Sequence, residues 1–219
     1  MQQLNYDAAK LERILSPARL SGYKTNYALQ LNKEPIILYR WNIILSELLY
    51  PLLNVIEVAL RNAIHTAIAS HFNNENWLLD NWFLAEEEGR EIQKQARYLQ
   101  YRNQLDVGHL IAELNFGFWT GLLDRRYEHK QLLWPTLLRA TFPYLENRKI
   151  HLIRKSFNKI RRLRNRVSHY EPIWHWQDLP QQHDQIIEVI RWIEPELIKL
   201  LEVGRFLEVY RLGPKKDLV

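Results

Sequence analysis

Cysteine is absent from this chain of 219 residues. That excludes a disulfide framework, a thiolate zinc knuckle and a thiol nucleophile, and it fits a reducing compartment. Glycine and proline are scarce, at 7 and 9 residues. An all-β sandwich or barrel needs many tight turns, so an all-β fold is disfavoured. Met1–Tyr6 has no basic start followed by an apolar run, so no secretory signal is expected. The most apolar stretch, Ile43 to Leu60, carries Glu47, Pro51, Asn54 and Glu57 and then meets Arg61. A bilayer span of about 20 residues rarely holds so many polar groups. It reads as a buried helix of a soluble, cytoplasmic protein with no membrane contact.

Hydrophobic residues make up 47% of the chain, enough for a packed core and too many for a disordered one. The formal charge of +5 is a weak pointer to an anionic partner. Aromatic residues are plentiful, with 8 Trp and 11 Tyr. Trp41, Trp119 and Trp192 fall at helical core spacings and are read as core rather than as platforms for bases.

Almost every segment has helical periodicity. The spacing predicts a short helix over 5–15 and turns over 21–33. A long helix opens at Glu34-Pro35 and runs to about Phe72, with a kink expected at Pro51. Asn73–Asn76 is a loop and Trp77–Phe83 an aromatic connector. Helices are expected over 85–105 (charged), 107–123 (apolar), 131–145 (broken by prolines) and 147–169 (strongly basic). Tyr170-Glu171-Pro172 should end the basic helix. A last helix over 184–209 should bend near Pro195. The fold class is all-α, one helical bundle with a helical insertion over about 73–145.

On the long helix, Asn54, Glu57, Arg61 and His65 share one narrow sector of an otherwise apolar surface. They form either a solvated edge with a Glu57–Arg61 pair or the wall of a cleft. On the basic helix, Phe157, Ile160, Leu163 and Val167 form the apolar stripe. Arg164 lands on its margin, with Arg161 and Ser168 beside it and Arg162 and Arg166 facing away. A half-buried Arg164 needs a partner. The partner is either a carboxylate, with Glu57 the candidate, or a phosphate, which the planar guanidinium suits. His169 follows Arg164 by five residues, about 140° around a regular helix. The two converge only if the helix unwinds near its end or if two chains build one site. Arg and His five to seven residues apart occur three times in this chain, so the bare spacing discriminates little. The run Glu86-Glu87-Glu88 reads as a solvated face, and His65, Asp106 and His109 lack ligand spacing, so no metal site is expected.

The segment Leu163-Arg164-Asn165-Arg166-Val167-Ser168-His169-Tyr170-Glu171-Pro172-Ile173 resembles the signature of the Abi-like abortive-infection proteins, a branch of the HEPN superfamily. Ile56–Ile64 and Glu113–Trp119 resemble two further blocks of that family, in the same order. The likeness spans roughly residues 20–205. It implies a HEPN-like helical bundle with the Arg-x4-His motif near a homodimer interface, and metal-independent RNA cleavage in phage defence or as a toxin. It also implies an RNA or protein antitoxin, and no cofactor. Arg164, Asn165 and His169 are then the expected catalytic residues. His169 would act as acid or base, Arg164 would hold the phosphate and Asn165 would orient either. Glu57, Arg61, His65, Arg161, Arg166, Ser168 and Tyr170 are expected to support the site or bind RNA. Ser168 stands where relatives often carry Ala. Two other readings share the motif: a non-catalytic RNA- or nucleotide-binding module, and a helical interaction scaffold.

Overall fold

The computed structural model describes residues 7–24, 28, 33–80, 83–128 and 132–214. Met1–Tyr6, residues 25–27 and 29–32 of the expected turn region 21–33, and Trp82 of the aromatic connector lie outside the described residues. Among the described residues the regular structure is helical and no strand occurs, as the periodicity predicts.

Among the described residues, the short helices α1 (Ala8–Leu15) and α2 (Pro17–Ser21) precede the central helix α3 (Pro35–Phe72). Thirty-eight residues make α3 roughly 57 Å long. Pro35 occupies its first turn, where a missing N–H costs least. Asn73 ends it in the left-handed conformation, with φ 50°, and the Asn74 N–H reaches back to the Ala69 carbonyl at 3.0 Å. The helix continues through Pro51. By length and composition α3 is also a helix that could cross a bilayer. Here its inner stripe, from Leu38 and Leu45 to Ile56, Leu60 and Ile64, is fully buried in the protein core.

The segment from 73 to 145 holds α4 (Trp77–Asp80), α5 (Glu86–Tyr101), α6 (Val107–Glu113), α7 (Phe116–Gly121) and α8 (Leu138–Thr141). It sends Trp77, Phe116, Trp119, Trp134 and Phe142 into the same continuous core as α3. The helix expected over 107–123 is two helices. Asn115 caps the second, its side chain accepting from the Phe118 N–H at 3.1 Å. The buried Trp119 indole donates to the Leu114 carbonyl at the junction, at 3.2 Å. The expected helix over 131–145 shrinks to the four residues of α8. The acidic run is not wholly solvated. Glu88 is buried and accepts from Arg126 at 2.8 Å, and Glu87 accepts from the same guanidinium at 3.1 Å.

The basic helix α9 spans Ile150–Ser168, and α10 (Leu179–Ile193) packs beside it. The chain closes with a 3-10 turn over Pro195–Leu200 and α11 (Val203–Leu212). The expected helix over 184–209 therefore starts earlier and breaks instead of bending. Glu194 is extended before Pro195, and its carboxylate caps the next turn through the Glu196 N–H. Trp41 and Trp119 are core residues; Trp192 is half-buried and donates to Glu188.

One buried polar residue of α3 ties the core to the end of α9. The Asn42 side-chain oxygen accepts from the Ile173 and Trp174 N–H groups at 2.7 and 3.1 Å, and its amide donates to the Glu171 carbonyl at 3.4 Å. Asn42→Ala would strand two buried N–H donors. A loss on the order of 3 kcal/mol is expected, read by urea unfolding. A loss within about 0.5 kcal/mol, ordinary for a surface change, would show that this loop finds other partners.

Candidate functional site

Arg164 projects from α9 toward α3 and meets Glu57 in a two-pronged ion pair. Nε donates to one carboxylate oxygen at 3.0 Å and Nη2 to the other at 3.2 Å. Both side chains are half-buried, 28% and 21% exposed. The apolar stripe of α9 points inward, so a residue on its margin must point along the α3 surface, where Glu57 stands. The alternative Glu57–Arg61 pair is not formed. Arg61 keeps its Nε buried without a hydrogen-bond partner, beside the pair. These groups line a cleft of about 220 Å³, together with Tyr50, Asn54 and Ser168. Of the polar sector read on α3, Asn54, Glu57 and Arg61 thus form one wall of a cleft.

His65 does not join them. One and two turns further along α3, it accepts from the Trp77 indole N–H through Nδ1 at 3.0 Å and lies 3.6 Å from the Glu75 carboxylate through Nε2. It anchors α4 instead. Burial lowers its pKa from the ordinary histidine value, against the opposing pull of Glu75. Protonation at Nδ1 would also break the Trp77 bond. His175, in the loop after α9, is held low by burial and by nearby Arg166. Both groups regain an ordinary pKa of about 6.5 on unfolding, so the unfolded chain binds more protons than the native one as pH drops. Stability should be full above about pH 7 and should fall through and below about pH 6.5. Thermal melts across that range read the effect. A His65→Gln variant, which retains an acceptor for Trp77, should lose less on acidification; an identical loss would show that His65 is not responsible.

The end of α9 is fixed by its backbone. The Tyr170 N–H bonds the Val167 carbonyl at 3.1 Å and the Glu171 N–H bonds the Arg166 carbonyl at 2.8 Å, with Tyr170 left-handed at φ 57°. A bulky residue in that conformation is uncommon and costs on the order of 1–3 kcal/mol. The helix does not unwind before it: the His169 N–H still reaches the Asn165 carbonyl at 2.9 Å. Arg164 and His169 of one chain therefore stay about 140° apart around the axis. His169 and Asn165 are exposed, and no described residue bonds either side chain. Ser168 is exposed on the cleft rim. Tyr170 is 73% exposed.

Arg166, expected among the RNA contacts, is held by the loop that follows. It donates to the Pro172 carbonyl at 3.4 Å, lies 3.4 Å from the Glu171 carboxylate and covers the Trp176 ring at 5.5 Å. Arg161 is half-buried and pairs with no described residue. Among the described residues no three His, Asp or Glu side chains come close enough to hold a metal ion. Asp106 and His109 pair with each other at the start of α6, where Asp106 also caps the His109 N–H.

Beside the cleft lies a larger, mostly apolar groove of about 660 Å³. It shares Tyr50, Val167 and Ser168 with the cleft and adds Ile43, Pro51 and Tyr170. Ile43 and Tyr50 are 50% and 61% exposed. Compared with known protein families, with curated proteins and with solved structures, the chain matches none. Asn42 is the residue that sequence reasoning missed. Its signal was a lone amide between Trp41 and Ile43 in an apolar run.

Proposed function

We propose that this protein is a metal-independent endoribonuclease of the HEPN type, acting in the cytoplasm as a phage-defence or toxin-type effector. The observation that carries the reading is the free, exposed His169 at the end of a helix rich in unpaired cations, whose opposite side borders a cleft that holds Arg61 and Arg164. The nucleophile is the RNA's own 2′-OH. It attacks the adjacent phosphorus, the 5′-oxygen leaves, and the products are a 2′,3′-cyclic phosphate and a 5′-OH. One imidazole takes the 2′-OH proton and a second protonates the leaving oxygen. Guanidinium groups stabilise the charge that builds on the phosphorane oxygens. Asn165 orients the histidine or the phosphate. Arg164 has two of its donors committed to Glu57, so Arg61, with its unpartnered Nε, is the freer cation of the cleft.

Two histidines and a convergent Arg require two chains, because one chain keeps Arg164 and His169 apart. A two-fold contact through the apolar groove would cover Ile43, Tyr50 and Tyr170 and bring both copies of His169 toward the axis. Such an effector needs an antidote, an RNA or a protein. In mixing experiments, excess His169→Ala chains should suppress wild-type activity through heterodimers. Ile43→Glu with Tyr50→Glu should give inactive monomers by sedimentation. A fully active monomer would overturn the shared site. The Glu57–Arg164 pair favours one competing reading, in which Arg164 is structural and the motif binds RNA without cutting it.

A further inference from the structure

Helix α9 contains no Asp or Glu and seven Lys or Arg. Three of the seven have carboxylate partners: Arg154 with Glu128, Arg164 with Glu57 and Arg166 with Glu171. Lys155, Lys159, Arg161 and Arg162 pair with no described residue. Lys155, Lys159 and Arg162 are exposed on the side away from the core stripe. Their spacing of four and three residues stacks them in one row, about one cation per turn of about 5.4 Å. Seven residues beyond Arg162 the same row reaches His169, about 21 Å from Lys155 along the axis. By contrast α5, the other strongly charged helix, mixes Glu86, Glu87, Glu88 and Glu91 with Arg90, Lys94 and Arg97. The row on α9 is therefore a positive ridge whose cations form no ion pair with a described residue.

A notch of about 230 Å³ opens beside the ridge. It is lined by Lys159, Arg162, Trp176, Asp178 and Gln182. It combines an indole wall with a carboxylate and an amide, groups that can meet a nucleobase face and edge. Neither ridge nor notch belongs to the Glu57–Arg164 cleft, which lies on the other side of α9.

We propose that the outer face of α9 is a track for the backbone of single-stranded RNA, that the notch beside Lys159 and Arg162 takes one base, and that the track leads the strand to His169. The proposal rests on the ribonuclease reading for its choice of RNA. A single row of cations suits one strand, since both strands of a duplex cannot lie along it, and a strand on this row can present its phosphates while a base turns into the notch.

The test uses the full chain carrying His169→Ala, so that RNA stays intact, and a short fluorescein-labelled single-stranded RNA. Anisotropy is measured over a range of salt. Each phosphate contact to a single strand contributes about 0.7 to the slope of log K against log salt. Adding Lys155→Gln, Lys159→Gln and Arg162→Gln should reduce that slope by about 2 and weaken binding at least about ten-fold near physiological salt. Trp176→Leu should weaken binding about ten-fold with the slope unchanged, as loss of one stacked base does. Neutralising Lys94 and Arg97 on α5 should leave the slope as it was. An unchanged slope in the triple variant, or equal binding of duplex RNA or polyglutamate, would overturn the track. Wild type that binds RNA along this ridge but never cleaves it would overturn the ribonuclease and leave the track standing.

Discussion

His169→Ala is expected to lower RNA cleavage by about 10²–10⁴-fold, the usual contribution of a positioned acid or base. It should leave the melting temperature unchanged. His169 is exposed, no described residue bonds its side chain, and the end of α9 is closed by backbone bonds that alanine keeps. Loss of activity without loss of stability is therefore the signature of a group that works on substrate. The measurement is RNA integrity, in chelator, for purified wild type and variant, together with growth of cells expressing each. Equal RNA integrity with equal folding would remove the nuclease reading.

Arg164→Ala should behave differently. Cleavage falls by about 10²–10³-fold if the guanidinium stabilises the transition state. Stability falls as well, because Glu57 is left half-buried without its partner. The pair is partly solvated and so partly screened, which sets the loss at about 1–2 kcal/mol, or roughly 2–8 °C for a chain of this size. The two-pronged contact with Glu57 is what adds a loss of stability to the expected loss of activity. Glu57→Ala separates the roles. It should cost similar stability but free the guanidinium, so RNA binding should hold or tighten while Arg164→Ala loses it. If both variants lose stability and activity in equal measure, Arg164 is a structural ion-pair partner and Arg61 becomes the phosphate contact.

Periodicity made the helices readable where one face is apolar over many turns. Pro35–Phe72 and the Phe157, Ile160, Leu163, Val167 stripe fall where the spacing puts them. It failed where a local hydrogen bond decides the path. The break at Leu114-Asn115 depends on a side-chain cap, and the break at Glu194 on a carboxylate reaching forward two residues. At the candidate site, spacing put Glu57 and Arg164 each on the edge of an apolar surface, and a carboxylate partner for Arg164 was one of two readings. It could not choose between Arg61 and Arg164 as partner of Glu57. That choice depends on how α3 and α9 approach, which is a tertiary distance. His65 shared a sector with Glu57, but sector ignores height along the axis, and two turns of height gave it to Trp77 instead.

Helix α3 acts as a ruler for the whole motif. Asn42 grips the loop just past His169, and Glu57 grips Arg164, so the two ends of the Arg-x4-His segment are indexed against marks fifteen residues apart on one rod, about 22 Å by helical rise. Between the marks sits Pro51, which has no N–H to offer the Glu47 carbonyl and leaves the rod one rung short. That missing rung lies between the two grips and opens onto the exposed groove, so groove and grips share one continuous helix.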